Sequence, residues 1–171
     1  MRKRLITIAL VFAAAVLITT VASVVPVEKQ EATKTTDQLR NTIQTLKDND
    51  MLLQYIFGNN FMITLLMFVP FAGPLIGGYV LFNTGLVVGS IAVSQDTSPL
   101  LSMAELFLTP IAWLEYIVYA MAMAASIWLS WRILQNRFRH EMVNTAKFMS
   151  LSAVILFVAA VIETAIIYAA V

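Results

Sequence analysis

Two glutamates, Glu115 and Glu163, lie within long apolar stretches of the sequence and are the first candidates for chemistry. A charged side chain inside a bilayer is costly, and intramembrane acids mark proton or ion pathways in pumps and transporters. Neither glutamate has a basic partner within its own stretch. If the two carboxylates approach each other in hydrocarbon, we expect one to be protonated or a cation to lie between them.

Three asparagines are predicted to lie near the same depth as these glutamates. Counting about 1.5 Å per residue places both carboxyls roughly 9–11 Å below the external surface. The same count gives about 12 Å for Asn59 and Asn60 and about 16 Å for Asn83. We therefore predict a buried polar layer in the outer half of the molecule, made of Asn59, Asn60, Asn83, Glu115 and Glu163.

The simplest role of such a layer is interhelical hydrogen bonding, worth roughly 0.6–2 kcal/mol per bond. A proton or cation pathway is the first alternative, because transporters use intramembrane acids in this way. Recognition of a transmembrane helix from a partner protein is the second alternative. The sequence leaves all three open.

Residue types that usually carry catalysis or bind cofactors are scarce. The chain has no cysteine, which excludes thiolate chemistry. It has one histidine, His140, so the usual zinc and iron ligand sets are excluded as well. No metalloprotease, serine-hydrolase or phosphate-binding loop motif occurs. Six methionines could suggest copper, but lipid-facing or core methionine is far commoner: Met62, Met67, Met103, Met121, Met123 and Met149. We predict no catalytic residue, no metal and no cofactor.

The composition predicts that membrane helices position these residues. Hydrophobic residues make up 60% of the chain and charged residues only 12%, whereas soluble domains are roughly 45–50% apolar. A soluble core could not bury that much apolar surface. The net charge of +1, with its basic residues spread over separate segments, excludes a nucleic-acid partner.

Five apolar stretches are long enough to cross a membrane, so we predict an all-α bundle of about five transmembrane helices. Pro70, Gly73 and Pro74 predict a tight turn between the second and third stretches, with a re-entrant pair as the alternative. The five stretches are about 5–25, 51–69, 74–93, 109–131 and 148–170.

Three units are expected along the chain: residues 1–26, 27–50 and 51–171. The first is predicted to be a retained membrane anchor, because its apolar part exceeds the roughly 7–15 residues of a signal peptide. The last is a four-helix membrane domain. The middle unit is rich in charges and must lie in water.

A short amphipathic helix is predicted within residues 27–50. Leu39, Ile43 and Leu46 recur at helical spacing, and Thr35 with Gln38 resembles a capping box. The apolar stripe is thin, which favours a solvated linker helix.

Basic residues define the expected orientation in the cell membrane. Arg2, Lys3 and Arg4 precede the first stretch, and residues 132–147 form a second basic segment. Because cytoplasmic loops are enriched in Lys and Arg, we predict a multi-pass protein with a cytoplasmic N-terminus and an external C-terminus. The side chains of Leu134, Phe138 and Met142 would share one face of this segment, which either lies on the leaflet or simply ends the span.

Small residues in the third stretch predict close helix packing. Gly73, Gly77, Gly85 and Gly89 form two GxxxG pairs on nearly one stripe. Internal packing is expected, and homo-oligomerisation or partner docking is the alternative. The fourth stretch offers a matching surface of small residues, made of Ala120, Ala122, Ala124, Ala125 and Ser126.

Aromatic residues of the fourth stretch are predicted to form interfacial belts that mark the membrane boundaries. They are Trp113, Tyr116 and Tyr119 near one end and Trp128 and Trp131 near the other.

Three landmarks resemble the stage II sporulation protein M family in order and spacing. They are Phe57-Gly58-Asn59-Asn60, then Phe82-Asn83-Thr84-Gly85 with Gly89, then Pro110-Ile111-Ala112-Trp113-Leu114-Glu115. Members typically carry Pro-His-Gly-x-x-Glu at the third landmark, where Ile111 and Ala112 replace the histidine and the glycine. Any role of the family's histidine is therefore absent or moved. The resemblance covers roughly residues 55–134.

The resemblance implies a membrane scaffold, because the founding member of the family anchors cell-wall hydrolases at a membrane. We therefore expect a non-enzymatic scaffold or interaction subunit, with membrane lipids and other membrane proteins or a second copy as partners. A small transporter or channel-like protein using Glu115 and Glu163 is the main alternative. An accessory subunit of a larger membrane enzyme, such as a respiratory or copper-monooxygenase assembly, is the other.

Overall fold

All secondary structure in residues 2–169, the part of the chain that the computed structural model describes, is helical. The helices are α1 (Arg2–Ser23), α2 (Lys29–Asp48), α3 (Leu52–Met67), α4 (Gly73–Ser94), α5 (Pro99–Leu108), α6 (Pro110–Leu134) and α7 (Phe138–Ala169). Proline occupies the first turn of α4, α5 and α6. Its missing N–H costs nothing there, because first-turn amides have no acceptor within the helix.

Four of these helices, α1, α4, α6 and α7, are long and apolar enough to cross a membrane. Helix α3 has 16 residues and is about 24 Å long, shorter than the ~30 Å hydrocarbon layer. It ends at Met67 because Pro70 and the turn that follows interrupt it. The expected second span is therefore shorter than predicted.

Helices α1 and α4 run parallel and pack closely. A Cβ built at Gly85 would collide with the carbonyl oxygen of Thr19 and with Ala22, and one at Gly89 would collide with the carbonyl oxygen of Ser23. Gly85 and Gly89 therefore pack against α1, not against α6. Nothing lies within 4 Å of such an atom at Gly78 on the same helix.

The other two glycines of the stripe face α6. A Cβ at Gly73 would meet Ser126, and one at Gly77 would meet Met123. All four glycines are buried. The glycine stripe is thus covered by α1 and α6 inside the bundle. It leaves no free surface on which a partner could dock.

Helix α7 begins at Phe138 and not near Phe148, so most of the expected basic loop is helical. The connection from α6 is a short turn in which Asn136 has φ 54°, a left-handed conformation that asparagine tolerates. The helix starts early because Glu141 and Thr145 face the bundle and are buried there.

Glu141 forms a buried ion pair that the sequence did not indicate. Its Oε2 lies 2.5 Å from Nη2 of Arg4, and its side chain is only 3% exposed. The Arg4 guanidinium also lies 5.7 Å from the centre of the Trp128 ring. This contact joins α1, α6 and α7 at one end of the molecule, called here the basic end because residues 2–4 and 132–147 lie there.

Helix α2 lies at the opposite end, called here the α2 end. The helix begins at Lys29 with Glu28 as its N-cap, so the capping box predicted at Thr35 and Gln38 does not start it. It packs against α4: Ala32 is fully buried, and Thr36 Oγ1 donates to Ser94 Oγ at 3.0 Å. It is therefore part of the packed structure and not a free linker.

Both ends of α2 contact the bundle through polar groups. Near its start, Lys29 Nζ lies 2.6 Å from Asp96 Oδ1. At its other end, Lys47 Nζ donates to the carbonyl oxygen of Ile167 at 3.4 Å, and Tyr168 OH donates to Asp50 Oδ1 at 3.3 Å. Helix α2 therefore extends from the end of α4 to the end of α7.

Candidate functional site

A cavity of about 640 Å³ lies among α2, α3, α4, α6 and α7. Its wall includes all five residues of the predicted polar layer, Asn59, Asn60, Asn83, Glu115 and Glu163. Asn59 is exposed and the other four are partly exposed. The five residues therefore line a partly open cavity and do not fill a closed layer.

Asn60 connects two elements of the cavity wall. Its Nδ2 donates to Glu115 Oε1 at 2.6 Å, and its Oδ1 accepts from Tyr119 OH at 3.3 Å. The amide of α3 thus holds two side chains of α6, since Glu115 and Tyr119 are four residues apart on one helix face. This network orients one oxygen of the Glu115 carboxyl and leaves the other without a hydrogen bond among the described residues.

Glu163 reaches the same cavity from α7. Glu163 and Glu115 line one cavity, and two carboxylates that share a site of low dielectric constant repel each other when both are ionised. In residues 2–169 neither carboxylate has an ion-pair partner, and the cavity wall contains no Lys or Arg. A positively charged ligand would relieve this repulsion.

Four tyrosines also line the cavity: Tyr55, Tyr79, Tyr116 and Tyr119. The prediction of an interfacial belt is wrong for Tyr116 and Tyr119, which are 2% and 6% exposed. Tyr116 OH donates to Thr19 Oγ1 at 2.8 Å, which ties α6 to α1. The four-residue spacing of Glu115 and Tyr119, which puts both on one face of α6, is the signal that could have identified Tyr119.

Helix α2 covers part of this cavity with its thin apolar stripe. Leu39, Ile43 and Leu46, the residues whose spacing predicted an amphipathic helix, all line the cavity. Thr42 lines the cavity with them, whereas Arg40, Asn41 and Gln44 are exposed and do not line it. The stripe therefore closes an internal space and does not merely stiffen a linker.

Asn83 contributes an acceptor from α4. Its Nδ2 donates to the carbonyl oxygen of Tyr79, one turn earlier in the same helix. This bond directs the amide nitrogen to the backbone and leaves the side-chain oxygen without a partner among the described residues. Carboxylate and amide oxygens together with tyrosine rings are groups that attract cations.

Clusters of three or more metal-binding side chains of the types His, Cys, Asp and Glu do not occur within residues 2–169. The volume of the cavity falls within the roughly 300–1,000 Å³ of small-molecule sites, which are mostly apolar with a few polar groups. The cavity therefore combines a mostly apolar wall with a few polar groups and two carboxyls.

The family model of stage II sporulation protein M matches residues 6–166. This match extends well beyond the landmarks at 55–134 and includes most of α1, all of α2 and most of α7. No match is found among curated proteins or among solved structures.

Proposed function

The chain belongs to the stage II sporulation protein M family, and from that premise we propose that it is a non-enzymatic, multi-pass protein of the cell membrane that binds a small organic cation. The observation that carries this proposal is the cavity wall, which holds two carboxyls without ion-pair partners in residues 2–169, Glu115 and Glu163, together with the exposed tyrosines Tyr55 and Tyr79. Carboxylates neutralise a cation, and aromatic rings bind quaternary ammonium groups through their faces. A bare metal ion would leave most of the cavity empty.

The cavity favours ligand binding over the scaffold function that the sequence favoured. A scaffold was expected to use the glycine stripe, and those glycines are buried against α1 and α6. The charged, outward face of α2 remains available to a partner protein. That face does not define the chemistry of a partner, whereas the cavity defines the charge of its ligand.

The test of this function is binding of tetramethylammonium to the purified protein in mild detergent. We expect millimolar tetramethylammonium to raise the midpoint of thermal unfolding, because a ligand that binds the folded state stabilises it. The neutral isostere tert-butanol should have no such effect. The Glu115→Gln and Glu163→Gln variants should each weaken binding about tenfold, because each removes one of the two negative charges.

Glu105→Gln is the matched control, because Glu105 is exposed on α5 and does not line the cavity. This variant should bind tetramethylammonium like the original chain. Equal stabilisation by tetramethylammonium in all three variants would contradict the proposal, as would equal stabilisation by tert-butanol.

We further propose five membrane crossings, with the basic end in the cytoplasm. Helices α1 and α4 are parallel, so the chain must return from the α2 end to the basic end between them, and α3 makes that return. The excess of Lys and Arg at the basic end supports its cytoplasmic location. Local bilayer thinning or flanking polar side chains accommodate a short helix such as α3.

Single cysteines test this topology directly, because the chain has none of its own. Thr33→Cys on α2 and Gln135→Cys after α6 both replace exposed residues. In intact cells a membrane-impermeant maleimide should label the first and not the second, and permeabilisation should expose the second. Labelling of both, or the reverse order, would refute the orientation.

A further inference from the structure

A groove of about 430 Å³ separates α1 from α7 at the basic end. Over the described chain no Cα atom of α1 lies within 8 Å of one of α7. The two helices are joined there by the side chains of Arg4 and Glu141. The groove is therefore a gap between two helices that are joined near it by the Arg4–Glu141 ion pair.

Both walls of this groove change from polar to apolar in the same direction. On α1, Arg4 precedes Ile8, and on α7, Asn144 and Lys147 precede Leu151. Both helices run from the basic end towards the α2 end. A ligand in the groove would therefore meet cationic and amide groups first and hydrocarbon side chains deeper along its length.

The polar part of the groove carries an uncompensated positive charge. Glu141 is paired with Arg4 and is 3% exposed, so its charge is already neutralised. Lys147 is exposed and has no ion-pair partner among residues 2–169. Arg4 and Lys147 both line the groove, so two cationic side chains stand against the single carboxylate of Glu141 there.

We propose that this groove binds an anionic phospholipid. The phosphate would accept hydrogen bonds from Lys147 and Asn144, and one acyl chain would lie along Ile8 and Leu151. Basic pockets between membrane helices bind phospholipid headgroups by this combination of charge and apolar contact. A free phosphate shares the headgroup chemistry but would leave the apolar half of the groove unused, which favours the lipid.

Native mass spectrometry of the purified full chain tests this site with phosphatidylglycerol and phosphatidylcholine added in parallel. We expect one phosphatidylglycerol to remain bound at concentrations where phosphatidylcholine does not. Lys147→Gln should weaken phosphatidylglycerol binding about fivefold, the effect of one basic residue near an anionic lipid surface. Lys3→Gln removes a charge at the same end but outside the groove, and should leave binding unchanged.

Each other result would overturn the proposal. Equal retention of both lipids would mean that the groove selects no headgroup charge. An equal loss in Lys147→Gln and Lys3→Gln would mean diffuse surface attraction and no defined site. Displacement of phosphatidylglycerol by inorganic phosphate would identify a site for a free anion. The measurement does not depend on the cation cavity, because Lys147 and Lys3 do not line it.

Discussion

Gly89→Ala should lower the midpoint of thermal unfolding by about 10 °C. A single methyl group at this position would collide with the backbone of Ser23. A backbone, unlike a side chain, cannot avoid the collision by changing its rotamer. Overpacking costs about 1–3 kcal/mol, and a backbone clash belongs at the upper end of that range. For a chain of this size, a loss of about 1 kcal/mol in the free energy of unfolding lowers the unfolding midpoint by about 2–4 °C.

Gly78→Ala on the same helix is the control, and it should raise the midpoint of thermal unfolding slightly or leave it unchanged. Its methyl group meets nothing within 4 Å, and alanine favours a helix more than glycine does. Unfolding can be followed by tryptophan fluorescence in mild detergent, because the chain has three tryptophans. A similar midpoint for the two variants would show that α1 does not pack on α4 as described.

Glu141→Ala should be the second severe change, destabilising the protein by about 2–3 kcal/mol. Breaking a buried ion pair leaves the other charge without a partner, which costs about 3–5 kcal/mol when both groups are fully buried. The side chain of Arg4 is 29% exposed, so water will reduce this cost. The double variant Arg4→Met/Glu141→Met should recover most of the loss, because no unpaired charge remains.

The Lys29–Asp96 pair supplies the comparison, since its side chains are 64% and 77% exposed. Asp96→Asn should leave the denaturation midpoint unchanged within error, as expected for a surface pair. The two variants share the loss of one carboxylate and differ in burial. If Asp96→Asn destabilised as much as Glu141→Ala, burial would not be the cause of the Glu141 effect.

The long helices could be predicted from the sequence because an apolar run of membrane length has few other solutions. Residues 74–93 became α4 at Gly73–Ser94, and residues 109–131 became α6 at Pro110–Leu134. Helix α5 was missed, since its ten residues are too few for a membrane span and include Ser102 and Glu105. The early start of α7 was also missed, because Glu141 is buried there in an ion pair with Arg4, a residue more than a hundred positions away.

The candidate site was predicted in part. Counting depth along each helix identified the residues at the level of the cavity, but it could not identify the tyrosines beside them. Counting residues along each helix placed Glu115, Glu163 and Asn60 at one level, and the structure brings them to one cavity. The same count carries no information about which neighbour a helix face meets. Tyr116 and Tyr119 were therefore assigned to the membrane interface, although their helix turns them inward.

Packing of α1 on Gly85 and Gly89 has a consequence for the order in which the protein is assembled. Helix α1 precedes α4 in the chain, so the surface formed by Thr19, Ala22 and Ser23 lacks one or both of its glycine partners, Gly85 and Gly89, until residue 89 has been synthesised. At ~5–20 residues per second, that interval lasts several seconds. Through that time α1 must remain next to the translocation machinery or in lipid, with its small-residue surface open to helices from other newly made chains.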